Sequence, residues 1–198
     1  MAETKKIKTA LISVYHKDGL TEVLQKLSAE NVEFLSTGGT QQFIESLGYA
    51  CRKVEELTTY PSILGGRVKT LHPKIFGGIL ARRDNEGDQQ QMAEYEIPSI
   101  DLVIVDLYPF EQTVADASSS EQDIIEKIDI GGISLIRAGA KDFKDVVIVP
   151  SKAEYGVLLD ILNEKGAVTD IEDRRMFATR AFGVSSHYDT AIHSWFEK

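Results

Sequence analysis

The sequence predicts an α/β fold in which a mostly parallel sheet carries helices on both faces. Short apolar runs of strand length alternate with stretches whose apolar residues recur at helical spacing, and no internal repeat, linker or low-complexity segment interrupts that alternation. Thr9 to Val14 reads as a buried strand, after which Leu20, Val23, Leu24 and Leu27 mark a helix reaching Glu30. Val32 to Ser36 is a second strand. It leads through Thr37-Gly38-Gly39-Thr40 into a helix with Phe43, Ile44 and Leu47 on one face, closed by Gly48. A third short strand, Ala50 to Val54, precedes an irregular segment from Thr58 to Pro73 that contains Pro61, Gly65 and Gly66. Gln89 to Glu96 is a polar surface helix ended by Pro98, and Ile100 to Leu107 is the most strand-like run, central in the sheet. Ser118 to Ser120 offer N-caps for a helix over Glu121 to Ile128. Gly131-Gly132 break it before a second helix from Ile133 to about Lys141. Val146 to Val149 is a further buried strand, and helices over Ala153 to Glu164 and from Ile171 onward follow.

Composition narrows the function classes. The 198 residues include 22 Lys plus Arg against 31 Asp plus Glu, a net charge of −9. This length allows one compact α/β unit with a sizeable core, so the expected organisation is a single domain over residues 1–198. The acidic balance lacks the basic footprint of a nucleic-acid binder. Cys51 has no intrachain partner, and four scattered histidines show no metal-ligand spacing, so no metal site is expected and a reducing cytoplasm fits best. The short apolar run after Met1-Ala2-Glu3-Thr4-Lys5-Lys6 is neither a signal-peptide core nor a membrane span, and no membrane partner is expected.

In a parallel α/β sheet, ligands bind beyond the carboxyl ends of the strands. The loops to search are therefore Tyr15 to Gly19, Thr37 to Thr40, Thr58 to Pro73 and Asp106 to Phe110. In Thr37-Gly38-Gly39-Thr40 the glycines let backbone amides turn inward and two hydroxyls add donors, a workable oxyanion cradle to which Lys17 adds a cation. The same residues also suit a tight turn with Thr40 as a helix cap. Neither loop matches the P-loop or the dinucleotide fingerprint. Arg67, Lys69, Thr70 and His72 cluster just after Gly65-Gly66 in a protein of net negative charge, which suits an anionic ligand or a solvated surface loop. Tyr108 either donates to a substrate or packs beside Pro109. Asp129 either works in a site or caps the following helix, and Lys141 is equally at home near a helix C-terminus.

Read together in order and spacing, these segments resemble the IMP cyclohydrolase domain of the bifunctional purine biosynthesis enzyme that also carries AICAR transformylase. The match rests on Thr37 to Thr40, Gly65 to Pro73, Gly77 to Arg82, Leu107 to Phe110, Asp129 to Gly132, Lys141 and Tyr188 to Ile192. The resemblance implies a methylglyoxal synthase-like fold, a cytoplasmic homodimer, fusion to a transformylase domain, and closure of 5-formamidoimidazole-4-carboxamide ribonucleotide (FAICAR) to IMP with loss of water and no cofactor. It further implies that Tyr15, His16, Lys17, Thr37, Gly38, Gly39 and Thr40 bind the nucleotide around its 5′-phosphate. Arg67, Val68 and Thr70 would line it together with Val105, Asp106, Ile130 and Gly131. Lys69 would lie near the reacting groups, Lys141 would give and take protons, Tyr108 would polarise the formyl oxygen, and Asp129 would orient the carboxamide or partner a lysine.

Several positions depart from the family pattern, Tyr15 and His16 in the first loop among them. Asp18 stands where a hydroxyl is usual, Asp106 where Asn is common, and Gly139 and Asp142 replace Ala and Asn. A straight helix from Gly132 would carry Lys141 roughly 14 Å from its start, so pairing Lys141 with Asp129 requires a short helix or a chain that folds back. Two rivals share the same loops: a non-catalytic regulatory module that binds a phosphorylated effector, and methylglyoxal synthase. A bare binder has no need of Tyr108, Asp129, Lys69 and Lys141 together, and the Arg67 to Pro73 segment favours the cyclohydrolase branch over the synthase.

Overall fold

The computed structural model describes residues 3–198. Five parallel strands form the sheet: β2 (Thr9–Ser13), β3 (Glu33–Ser36), β4 (Cys51–Lys53), β5 (Leu102–Val105) and β6 (Val147–Val149). Their order is β4-β3-β2-β5-β6, with Leu11 opposite Leu35 on one side and Val103 on the other. All four residues of β5 and all three of β6 are buried, as a sheet covered on both faces requires. The expected α/β class and parallel sheet are what the chain adopts. The middle strand is β2, however, and β5 is its inner neighbour. A separate antiparallel pair, β1 (Lys5–Lys6) with β7 (Val168–Thr169), has no counterpart in the sequence expectations, because two-residue strands carry no periodicity.

The expected helices form with shifted ends. They are α1 (Leu20–Ala29), α2 (Gly38–Ser46), α5 (Glu86–Glu94), α7 (Glu121–Ile125), α8 (Gly131–Lys141), α9 (Tyr155–Lys165) and α10 (Ile171–Phe196). Helix α5 begins earlier than expected because Asn85, whose side chain accepts from the Asp88 N–H, is its cap. Ser120 caps α7 in a capping box with Asp123. Gly131 and Gly132 lie inside the first turn of α8 rather than before it.

Three helices were not foreseen: α3 (Val54–Thr58), α4 (Pro73–Leu80) and α6 (Phe110–Ala115). Pro73 opens α4 after His72, whose Nδ1 accepts the Lys74 N–H at 3.1 Å. Its Gly77-Gly78 pair conceals the helix in sequence, yet a Cβ on Gly78 would stand 2.4 Å from the Pro98 carbonyl oxygen. Glycine there is a packing requirement. Helix α1 packs with α9, while α8 packs with α4 and α10. A smaller apolar cluster outside the main core joins Phe110, Ile124 and Tyr188. No described helix is long and apolar enough to cross a membrane.

Candidate active site

The chain lays β2, β3 and β4 outward in one direction and then returns to add β5 and β6 on the other side of β2. Strand order thus reverses between β2 and β5, and the crevice outside the carboxyl ends at such a switch point is where these folds place their ligands. Asp106, buried just after β5, ties the two loops together. Its carboxylate accepts the backbone N–H of Tyr15 and, at 2.9 Å, that of His16, with His16 Nδ1 at 3.1 Å. The Asp106 carboxylate is therefore satisfied by backbone donors. Val105, the last residue of β5, is buried.

At the β3 end of the crevice, α2 starts directly from Thr37-Gly38-Gly39-Thr40, and no side chain caps it, which leaves its first-turn N–H groups facing outward. Gly38 has φ +53°, and a Cβ there would sit 3.4 Å from Lys69 Nζ, whereas one on Gly39 would meet nothing within 4 Å. Open space above amides is what an anion needs. The two hydroxyls are committed elsewhere, contrary to expectation. Thr40 Oγ1 donates to the Val14 carbonyl at 2.9 Å and accepts the Val14 N–H at 3.2 Å, and Thr37 Oγ1 donates to Glu55 Oε1 at 3.4 Å. These threonines offer backbone, while their side chains fasten the turn.

Lys17 Nζ folds over the same turn, donating to the carbonyls of Val14 and, at 3.2 Å, Tyr15. Burial holds its pKa below the usual lysine value. Asp106 opposes that shift and the charge of Lys69 adds to it. Two lysines thus converge on the α2 N-terminus. Asp18 points away toward Lys152, 3.6 Å distant, and is largely exposed.

The opposite wall comes from residues 106–110 and the start of α8. Asp129 Oδ1 accepts the Gly132 N–H at 2.6 Å, and the backbone N–H groups of Tyr108 and Ile133 also reach its carboxylate. Burial nevertheless raises its pKa above the ordinary aspartate value, against the pull of those donors. Tyr108 lies beside it, and its phenol is pushed up first by burial and then by the Asp129 charge. At neutral pH this pairs a proton donor with a carboxylate made more basic than usual. Asp129 is thus both cap and candidate, and the two sequence readings are compatible.

The Tyr108 ring meets the exposed Tyr15 ring edge-on at 5.6 Å, and Lys127 Nζ lies 5.8 Å from both centroids. Lys127 was not singled out in the sequence, where it looked like one more cation before Asp129. Thr70, buried, brings its hydroxyl to the start of α8: a Cβ on Gly131 would lie 3.1 Å from Oγ1. Val68 is half-buried in the same loop, and Ile130 is exposed at the N-cap of α8. Arg67 turns outward to Glu126, with Nη2 2.5 Å from both carboxylate oxygens.

Lys69 sits with the α2 turn and Lys17. Lys141 is the last residue of α8. Helix α8 runs unbroken for 11 residues, so its last residue lies about 15 Å from its first. The adjacent Asp142 lies near Arg83, which pairs with Asp101, and Asp101 accepts the N–H groups of Lys8 and Thr9 where β2 begins. Lys141 therefore lies at the amino-terminal edge of the sheet. Beside the crevice, a cavity of about 410 Å³ opens between residues 107–112 and α10, lined by Phe110, Val184, His187 and Tyr188. It is largely apolar and carries no cationic cradle. Among the described residues no group of three His, Cys, Asp or Glu side chains is placed to hold a metal ion.

Comparison with known proteins places this geometry in context. Residues 19–134 match the family described as "MGS-like domain", and residues 139–198 match the one described as "AICARFT/IMPCHase bienzyme". A protein of Bacteroides thetaiotaomicron named "Bifunctional purine biosynthesis protein PurH" is 70% identical over 197 residues, covering 100% of this chain and 39% of that protein. Its namesake in Chlorobaculum parvum is 43% identical over 192 residues, covering 97% of this chain and 37% of the relative. The chain thus spans under two fifths of the length of these relatives. A solved structure described as "Crystal structure of ForH" superposes with a TM-score of 0.81 at 31% identity, covering 96% of this chain and 99% of that one.

Proposed function

The chain belongs to the MGS-like domain family, in the IMP cyclohydrolase region of the bifunctional purine biosynthesis proteins, and from that premise we propose that it closes FAICAR to IMP with loss of water. The observation that carries this reading is one crevice with chemically distinct ends: Lys17, Lys69 and the uncapped α2 turn at one, Tyr108 and Asp129 at the other. A nucleotide has the same polarity, with a dianionic phosphate at one end and a neutral, hydrogen-bonding base at the other.

The reaction lies within one molecule, so orientation supplies much of the rate, and the protein must add charge stabilisation and proton transfer. The carboxamide nitrogen attacks the formyl carbon and a C–N bond forms. The nitrogen's proton passes to the Asp129 carboxylate as Tyr108 gives its phenolic proton to the formyl oxygen. The ammonium of Lys127 then stabilises the phenolate so formed. In the second stage Asp129, now a carboxylic acid, protonates the hydroxyl, and the C–O bond breaks to release water. The former formamide N–H returns its proton to Tyr108 as the ring C=N forms, leaving both side chains as they began.

In this scheme Lys69 serves the phosphate, and neither it nor Lys141 carries the proton. The length relationship to the relatives supports reading the chain as one domain of a longer protein that also carries a transformylase. The experiment is incubation of the purified protein with FAICAR in excess EDTA while IMP is followed by ultraviolet absorbance. IMP is expected to form well above the uncatalysed background. Absence of IMP with the nucleotide still bound would instead favour a regulatory binding module.

A further inference from the structure

We infer that Tyr188 is a positioning residue that sets the geometry between Tyr108 and Asp129, acting from a helix that touches no substrate. Its hydroxyl accepts the Asp129 N–H at 2.8 Å and donates to the Lys127 carbonyl at 2.6 Å, so both its acceptor and donor capacities are used on one turn. That turn carries Asp129, and the Lys127 side chain lies over the Tyr108 ring. The Tyr188 ring meets Phe110, two residues beyond Tyr108, at 6.1 Å and 67°. One side chain thus fastens by hydrogen bonds the segment bearing Asp129 and by packing the segment bearing Tyr108.

Its environment is built for this duty. Tyr188 is 7% exposed within the small cluster it shares with Phe110 and Ile124, apart from the main core. Burial pushes its phenol up to about 12, which keeps the proton that reaches the Lys127 carbonyl in place at any physiological pH. The division of the chain adds a second point. Tyr108 and Asp129 fall within the MGS-like match, whereas Tyr188 stands on α10 in the bienzyme match over residues 139–198. The C-terminal region therefore contributes to the crevice through a tether on its reacting end.

The inference rests on the proposed cyclohydrolase reaction, and its test separates the two. Tyr188→Phe keeps the ring and removes only the hydroxyl, leaving the Asp129 N–H and the Lys127 carbonyl unpaired. Amide hydrogen exchange at Asp129 is expected to quicken in this variant. Unchanged exchange overturns the inference whether or not the protein turns over. With FAICAR, kcat is expected to fall about 10-fold to 100-fold, the cost of misplacing a reacting group by on the order of an ångström, while KM stays within about two-fold. In an Asp129→Asn background the same change is expected to cost little more, because both act through one group. An equal cost in both backgrounds would mark Tyr188 as a structural residue only and overturn the inference. A wild-type protein without turnover contradicts the reaction assignment instead, and the exchange result then decides the role of Tyr188.

Discussion

At the scale of single residues, Lys17 sets how the crevice should respond to pH. Its ammonium is held below the ordinary lysine value of 10.5, chiefly by burial. A bound phosphate favours the charged form, so the pKa is higher in the complex than in the free protein. Affinity for IMP is then full below the free-protein pKa and declines as pH rises through it, at lower pH than an ordinary lysine would give. Titration calorimetry from about pH 7 to about pH 10 checks this. Lys17→Met is expected to weaken binding roughly ten-fold, the worth of one charge-assisted hydrogen bond, and to flatten the profile. An affinity equally pH-dependent in wild type and variant would remove Lys17 from the phosphate. The residue types of this site were legible in the sequence, since cations in an acidic chain call for a reason. Their partners were not. The hydroxyls of Thr37 and Thr40 turn inward, Lys69 crosses to the α2 turn, and Tyr188 reaches Asp129 across 59 positions of chain.

Helix α8 shows what an element adds. Asp129 lies just before its N-cap, bonded to the Gly132 N–H, and its last turn ends on Lys141 with Asp142 as C-cap, so the run of motif residues is stretched along the helix. Asp142 is out of place there. One of its carboxylate oxygens is buried without a partner, and burial together with Asp145 pushes its pKa up to about 6. Below about pH 4 the group is protonated folded or unfolded and contributes nothing. Between its ordinary value of 3.8 and about 6 the folded state binds the extra proton, so stability falls as pH rises, and the loss persists above. Asp142→Asn, the family's usual residue, is expected to raise Tm by about 2–4 °C at neutral pH, on the order of 1 kcal/mol after solvent screening. It should change nothing near pH 3, and thermal melts at the two pH values decide. Helices with a clear apolar stripe or a capping Ser were readable in sequence. Helix α4 was hidden, because a helix opened by proline and dictated by the packing of Gly78 against Pro98 leaves no local pattern.

For the whole molecule, the alternation of strand and helix was enough to fix a parallel α/β sheet and to direct attention to its carboxyl edge. Strand order was not legible, and strand order is what opens the crevice between β2 and β5. The net charge of −9 likewise describes the surface at large, while Lys17, Lys69 and the α2 amides create a local cationic end. The central claim is therefore a placement, phosphate on the α2 turn and base against Tyr108 and Asp129. Its most direct test is a crystal structure of the protein soaked with IMP. The phosphorus is expected within hydrogen-bonding reach of Lys17, Lys69 and the Gly38 to Thr40 amides, with the purine ring against Tyr108 and Asp129. IMP lodged instead in the apolar cavity between residues 107–112 and α10, or lying with its base toward Lys141, would contradict it.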